Sequence, residues 1–438
     1  LLPLISLAVT PPTFAAICCL AIKSLAFIYS FYHLWMVFFI VFNLNGFYPM
    51  HIFNNTEIAF AWRNNKELRK AHFLFKTIAL PWLVNLGNVL LKVALAIRFP
   101  IAWLVKPTIF SHFVGGETLS ESIPTVNTLA QFGVKSILDY SVEGKGTLKS
   151  QEEAYTEILN SIHNAANNPN ITFSVFKPTG LVNVDILTKV SQGISLTPEE
   201  AEQFDLFKQR VHTLCHTSVQ ANTPILIDAE DSWYQKALDD VVRDMMAEFN
   251  KEQVFVYNTL QMYRTDRLTF LQEAYRDAKE NGFKLGMKFV RGAYMEKERE
   301  RAQRMGYPSP IHPTKEDTDK AFNDAQEFAF NHLDTISIFC GTHNEESVNR
   351  LCQLMQDENV GKDDKRITFS QLLGMSDNIS FMLGHLGYNV TKYIPYGPVR
   401  EVMPYLIRRA QENTSVKGQT GRELSLIEQE LKRRKASS

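Results

Sequence analysis

From Lys135 onward, short runs rich in β-branched and aromatic residues alternate with longer amphipathic segments. That is the pattern of repeated strand–helix units and therefore of a parallel sheet. Eight runs can be placed: KSILDYS from Lys135, ITFSVFKP from Ile171, PILIDAE from Pro224, VFVYNTLQ from Val254, LGMKFVRG from Leu285, ISIFCGTHN from Ile336, ITFSQLLGM from Ile367 and VTKYIPYG from Val390. Helical patterns fill the intervals, as from Asp266 to Asn281 and from Lys315 to Asn331. Eight such units joined by right-handed crossovers close into a barrel, so the expected fold is α/β, a distorted (β/α)8 TIM-type barrel. Functional groups of such a barrel sit at the C-terminal ends of its strands. Polar residues gather there: Lys177 after strand two, Asp228 and Glu230 after strand three, Gln261 at strand four, Lys288 and Arg291 around strand five, and Thr342, His343 and Asn344 after strand six.

The chain has 438 residues, 45% apolar and 21% charged, without low-complexity tracts or repeats. A net charge of -1 argues against nucleic acid as a partner. The charge is uneven, however. Residues 1 to 107 hold nine Lys/Arg against only Glu57 and Glu67, a net of +7, which leaves -8 for the remainder. A basic, apolar front segment suits either an anionic membrane surface or a solvated basic helix. The five cysteines (Cys18, Cys19, Cys215, Cys340, Cys352) lack C-x-x-C spacing and read as reduced, mostly buried thiols, and no metal site is expected.

Ser24 to Leu44 is a 21-residue stretch free of Asp, Glu, Lys and Arg, long enough to span a bilayer. The basic residues that follow it would place the rest of the chain on the cytoplasmic or matrix side. An alternative reading starts translation at Met50, making residues 1 to 49 an extension of the gene sequence. Between Thr77 and Val105 the run is apolar except that Asn85, Asn88 and Lys92 share one helical face, as in a helix lying on the barrel flank or a bilayer. The expected organisation is a hydrophobic segment over 1–49, a helical arm over 50–130, the barrel over 131–420 and a basic helix over 421–438.

Two constellations carry chemistry. Asp228 and Lys177 lie on neighbouring strands at similar depth and can pair across the barrel mouth; such a pair can equally be structural. In PYLIRRAQEN, Tyr405, Arg408, Arg409 and Glu412 fall at i, i+3, i+4 and i+7, on one helical face. Adjacent guanidinium groups can grip a carboxylate with a fork geometry that Lys cannot supply, although an ordinary surface helix also carries such pairs. Arg408 lies 11 residues beyond Gly397, at the end of strand eight. On an ordinary descending barrel helix it would be more than about 10 Å from the mouth. If the arginines bind substrate, the last helix must instead lie across the opening. No G-x-G-x-x-G or G-x-x-x-x-G-K-[ST] occurs in the strand-to-helix turns, so neither a dinucleotide fold nor a P-loop is supported.

The blocks FKPTG (176–180), IDAE (227–230), LQMY (260–263), KFVRGAY (288–294), GTHN (341–344), QLLGM (371–375) and YIPYGPVREVMPYLIRRAQEN (393–413) occur in one order, with FVGGE and FGVKSILDY upstream. Together they resemble the proline dehydrogenase family over about residues 52 to 435. The resemblance implies an FAD enzyme that oxidises L-proline to 1-pyrroline-5-carboxylate and passes electrons to a membrane quinone. It implies that Arg408 and Arg409 clamp the substrate carboxylate with Glu412 holding the clamp, and that Lys177 and Asp228 form the polar pair beside the substrate. Tyr294, Leu372, Tyr393 and Tyr405 would enclose the ring. Ala229, Gln261, Lys288, Arg291, Gly292, Ala293, Thr342 and His343 would contact flavin, with Asp228 and Lys288 in the catalytic roles.

For such a reaction the amine must first be neutral, its proton passing to Asp228 or to solvent. A dry aromatic cage and the arginine pair would then orient the ring. The chain departs from many bacterial members in carrying Lys288 where they have Arg, which keeps the charge and loses the fork. Hydroxyproline-oxidising relatives tend to carry a smaller residue than Tyr393, so proline is favoured over hydroxyproline. The short sequence after the barrel implies a separate pyrroline-5-carboxylate dehydrogenase. The resemblance implies an inner-membrane site, on the cytoplasmic side in bacteria or the matrix side in mitochondria, and compact loops incline the reading to bacteria. A methylenetetrahydrofolate-reductase-like flavin barrel would leave the arginine pair and tyrosines unexplained. A membrane scaffold built on residues 24–105 would leave the eight strand ends unexplained.

Overall fold

In a computed structural model, the structure describes residues 52–80, 82–84, 87, 91, 101–141, 147–415 and 419–437, all within the unit Met50–Ser438. The expected span over 24–44, the question of Met50 as start, and the face formed by Asn85, Asn88 and Lys92 lie outside the described residues. Among the described residues no helix is long and apolar enough to cross a membrane.

All eight expected strands form, and they pair in parallel in chain order into a closed barrel: β1 (Lys135–Tyr140), β2 (Ile171–Phe176), β3 (Ile225–Ile227), β4 (Val256–Gln261), β5 (Leu285–Val290), β6 (Ile336–Gly341), β7 (Ile367–Leu372) and β8 (Val390–Tyr396). Closure is made by β8 against β1, with Ile137 opposite Tyr393. Successive side chains alternate between the two faces of a strand. Ile137, Phe173, Val175, Leu226, Tyr257, Phe339 and Tyr393 pack together inside the barrel. Their neighbours Leu138, Phe176, Ile225, Ile227, Val256, Ile338 and Ile394 pack outward with the helices. The same alternation aims Asp139, Lys177, Asp228, Lys288 and Tyr393 inward at the C-terminal end and Lys392 outward.

Several helices begin where the sequence supplies a side-chain cap. The arm helix α1 (Asn65–Ile78) has an Asn64/Glu67 capping box and precedes α2 (Leu119–Ala130), α3 (Leu148–Ala166) and α4 (Val184–Ser191). The next helix, α5 (Pro198–Gln220), combines a Thr197/Glu200 box with Pro198 at its first position. Then follow α6 (Ser232–Phe249), α7 (Arg267–Asn281), α8 (Met295–Met305), α9 (Lys315–Phe330), α10 (Glu345–Asp357) and α11 (Asp377–His385). Cys215, Cys340 and Cys352 are free and buried, as expected of packed thiols.

After β8 the chain leaves the ordinary barrel plan. Gly115 and Gly116 run beside the end of β8: the Gly115 N–H donates to Pro395 O at 2.9 Å and Gly397 N–H to Gly116 O at 3.1 Å. A Cβ on Gly115 would stand 2.6 Å from Ile394 Cγ2, so only glycine permits this approach. Glu117 then accepts from the Val399 N–H at 3.2 Å, fixing the exit. The chain enters α12 (Met403–Ser415) and then α13 (Gln419–Ala436). Tyr405 and Leu406 of α12 share an apolar cluster with Leu372 at the end of β7, and Leu426 and Ile427 of α13 share it with Leu68, Ala71 and Phe75 of α1. Thus α12 lies over the mouth while α13 docks on the arm.

Candidate active site

Asp228, at the end of β3, is the hub of the mouth. Lys177 Nζ lies 2.9 Å from its Oδ2, Lys288 Nζ 2.6 Å from its Oδ1, and the Tyr393 hydroxyl donates to Oδ2 at 3.0 Å. Lys177 also reaches Asp139 Oδ2 at 3.3 Å. Burial alone would raise the Asp228 carboxyl, but Lys177 and Lys288 outweigh it and hold the group well below the usual carboxylate range. Burial works to lower Lys177, and Asp139 and Asp228 override it to keep the amine charged. Tyr393 is pushed well above the ordinary phenol range, first by burial and then by Asp139 and Asp228, so it remains a donor. Asp228 is therefore a fixed anion and a poor base, and of the two proton acceptors considered, solvent is the better suited.

Arg408 and Arg409 arrive from above. The Arg408 Cζ is 5.9 Å from the Tyr294 ring, which follows β5, across the barrel from β8. Arg409 is buried, 5.1 Å from the Tyr405 ring. The Arg408–Tyr294 contact, with Tyr405 and Leu406 packed by Leu372, puts the helix over the opening. Glu412 lies one turn beyond Arg408 on α12, and its side chain is outside the described residues. Leu372 and Tyr393 pack together beneath Tyr405, and Tyr294 stands half-buried at the rim.

The expected cofactor residues line the β3–β6 side. Gln261, on β4, is 3% exposed, and among the described residues its Oε1 finds no hydrogen-bond donor. Leaving a buried acceptor unpaired costs about 1–3 kcal/mol. Ala229 and Gly292 are half-buried and Ala293 is exposed. Thr342 is buried, and its Oγ1 accepts from Arg291 Nη1 at 2.6 Å. Arg291 also bonds Asp319 at 2.7 Å and Ser347 at 3.0 Å, turning its guanidinium toward the helix layer, where it braces Thr342. His343 is lowered to about 3 by burial and then by Lys392 and Arg409, so its ring is neutral. An unpaired acceptor, a lysine and a neutral imidazole around one mouth fit a polar heteroaromatic ring such as flavin, which offers N–H donors and carbonyl acceptors.

Sequence reasoning missed Asp139, the second carboxylate on Lys177; an acid inside the apolar run KSILDYS was the available signal. Glu230 proves to be a brace: its oxygens take the Thr179 N–H at 3.0 Å and hydroxyl at 2.7 Å, and burial pushes it up to about 7.

The molecule is thus a closed β/α barrel whose mouth holds paired lysine and aspartate charges beneath a helix bearing two arginines. Residues 122–422 match the family described as proline dehydrogenase. The mitochondrial proline dehydrogenase 1 of Dictyostelium discoideum is 33% identical over 387 residues, covering 78% of this chain and 67% of that protein. The hydroxyproline dehydrogenase of Xenopus laevis is 31% identical over 415 residues, covering 86% and 88%. Proline utilization A from Bdellovibrio bacteriovorus has the same fold, with a TM-score of 0.65 at 18% identity over 84% of this chain and 37% of that one, so this chain spans little more than a third of that protein. The chain belongs to the proline dehydrogenase family. The family comprises FAD-dependent oxidoreductases that oxidise proline.

Proposed function

We propose that this chain oxidises L-proline to 1-pyrroline-5-carboxylate with bound FAD and delivers the electrons to a membrane quinone. The observation that carries the reading is the placement of Arg408 and Arg409 above the Asp228–Lys177–Lys288–Tyr393 network. Two guanidinium groups suit one carboxylate, while Leu372, Tyr393 and Tyr405 supply apolar walls for a five-membered ring. When bound, FAD supplies the two-electron oxidant that accepts the hydride. The residues of the chain bind, orient and shield. Asp228 keeps Lys177 charged and holds the Lys288 amine in place, and α12 limits the access of water. The substrate amine loses one proton to solvent before the hydride leaves the ring CH2 next to nitrogen; the nitrogen lone pair then completes the C=N bond, and the remaining N–H proton passes to solvent to give the imine. Lys288 opposes the negative charge that arrives with the hydride.

A membrane site is supported by α1, whose exposed Lys66, Arg69, Lys70 and Lys76 accompany Phe73 at 71% exposure, with Trp82 and Trp103 nearby in sequence at 62% and 67%. Relatives named mitochondrial support a mitochondrial setting in preference to the bacterial one suggested by the compact loops. The deciding experiment is anaerobic addition of L-proline to the purified yellow protein. Loss of the oxidised-flavin absorbance is expected, and a spectrum unchanged at saturating proline would overturn the proposal. The likeness to hydroxyproline dehydrogenase favours a second reading, separated by the ratio of kcat/KM for the two amino acids. The buried Tyr393, bonded to Asp228, leads us to expect proline to be preferred.

A further inference from the structure

Behind the mouth, the turn after β7 is gripped from three sides. Lys392, buried on the outer face of β8, donates to the carbonyls of Leu372 and Met375 and pairs with Asp377 Oδ1 at 2.9 Å. From the arm, Arg63 Nε lies 3.1 Å from Asp377 Oδ2. From α13, the buried Glu423 carboxylate accepts from the backbone N–H of Ser376. Ser376 sits at φ 50, ψ 45, the left-handed region that a non-glycine residue enters only when its surroundings hold it there.

The Ser376 hydroxyl is 3.0 Å from His343 Nδ1, its one hydrogen bond among the described residues. The neutral imidazole of His343 carries a single ring proton. A serine hydroxyl can donate to or accept from a ring nitrogen; where it donates to Nδ1, the ring proton resides on Nε2 and the ring presents a donor on its other edge.

We propose that Glu423 is a positioning residue for the cofactor site: through the Ser376 backbone it aims the Ser376 hydroxyl at His343 and sets that ring as an Nε2–H donor. The C-terminal helix thereby belongs to the active-site machinery without touching substrate. The same logic fixes metal-bound histidines, whose second ring nitrogen is held by an outer partner. This inference rests on the reading of His343 as a flavin contact.

The test uses the full chain stripped of FAD, with flavin fluorescence quenching as the readout of the FAD dissociation constant. His343→Ala should weaken binding about tenfold, and Ser376→Gly, which suits the left-handed backbone and removes the hydroxymethyl group, about fivefold to tenfold. Glu423→Ala should do the same. Glu423→Gln should bind nearly as the parent, because an amide oxygen can still accept the Ser376 N–H. In a His343→Ala background, neither Ser376→Gly nor Glu423→Ala should weaken binding further, since both act through the missing ring. Additive losses, or normal FAD affinity in Ser376→Gly, overturn the relay while leaving the flavin reading of His343 intact. Normal affinity in His343→Ala removes both. Should Glu423→Ala fail to fold, Glu423→Met, which keeps the side-chain volume and removes the acceptor, takes its place in the cycle, and normal FAD affinity in it overturns the role of Glu423.

Discussion

Asp228 accepts from Lys177, Lys288 and Tyr393, so its removal leaves two buried cations facing each other without their shared anion. Breaking one partner of a buried ionic network costs far more than an exposed pair is worth. For Asp228→Asn we expect kcat/KM for proline to fall by about a hundredfold or more. Because Asp228 is too acidic to serve as base, kcat/KM should still climb with pH in the variant, following deprotonation of the substrate amine. Loss of that alkaline rise would make Asp228 the proton acceptor. Tyr393 separates two contributions: Tyr393→Phe removes the bond to Asp228, whereas Tyr393→Ser also empties the wall beside the ring. The serine variant should lose at least about tenfold in kcat/KM and the phenylalanine variant less. Equal losses would assign the whole effect to the hydroxyl.

Helix α12 brings Arg408 and Arg409 over the strands rather than down the flank. If they hold the substrate carboxylate, Arg408→Met should raise KM for proline by about 10- to 100-fold, the worth of a charge-assisted hydrogen bond. Its effect on thermal stability should be small because the Arg408 side chain is half-buried. An unchanged KM, determined with a dye acceptor, would remove the clamp. In α13, Leu426 is fully buried in the cluster shared with α1, and Leu426→Ala should cost about 2–5 kcal/mol of stability. At this scale much was legible in advance. The eight strands announced themselves as apolar runs of the right length, and Lys177, Asp228 and Lys288 as charges at their ends. The grip on the β7 turn was not legible, since Arg63 and Asp377 stand 314 positions apart. Lys392 reads as one polar residue in a strand until closure of the barrel decides that it faces outward.

Across the whole molecule, opposing titrations shape stability. His112 is lowered to about 3 by burial and then by Arg63. Its folded pKa lies below the unfolded value of about 6.5. Its contribution is thus fully present above that pH and lost as pH falls toward 3, at about 1.4 kcal/mol per unit. His343 behaves alike. Glu230 and Glu423, both pushed up to about 7 chiefly by burial, have the opposite slope: their contribution is present below about 4.5 and lost as pH rises through 7. A broad plateau between about pH 4.5 and 7, then a steep acid-side fall, is expected from thermal melts. His112→Phe forfeits the bond to Gly374 O at every pH, but its deficit against the parent should shrink between pH 6.5 and 5. A gap independent of pH would assign the acid sensitivity elsewhere.

The closing helix also ties the two ends of the described chain together, for Arg434 donates to the carbonyls of Phe60 at 2.8 Å and Arg63 at 2.9 Å. Because α13 follows every strand and α12 in the chain, a nascent polypeptide halted before Gln419 would have its strands complete but its arm undocked and its β7 turn unsupported. Premature termination would then yield a product that keeps its roof helix but leaves the arm's apolar face open to chaperones and proteases and the cofactor side of the mouth unbraced. Cellular quality control could discard such chains before they reached proline, making complete translation a precondition for flavin loading.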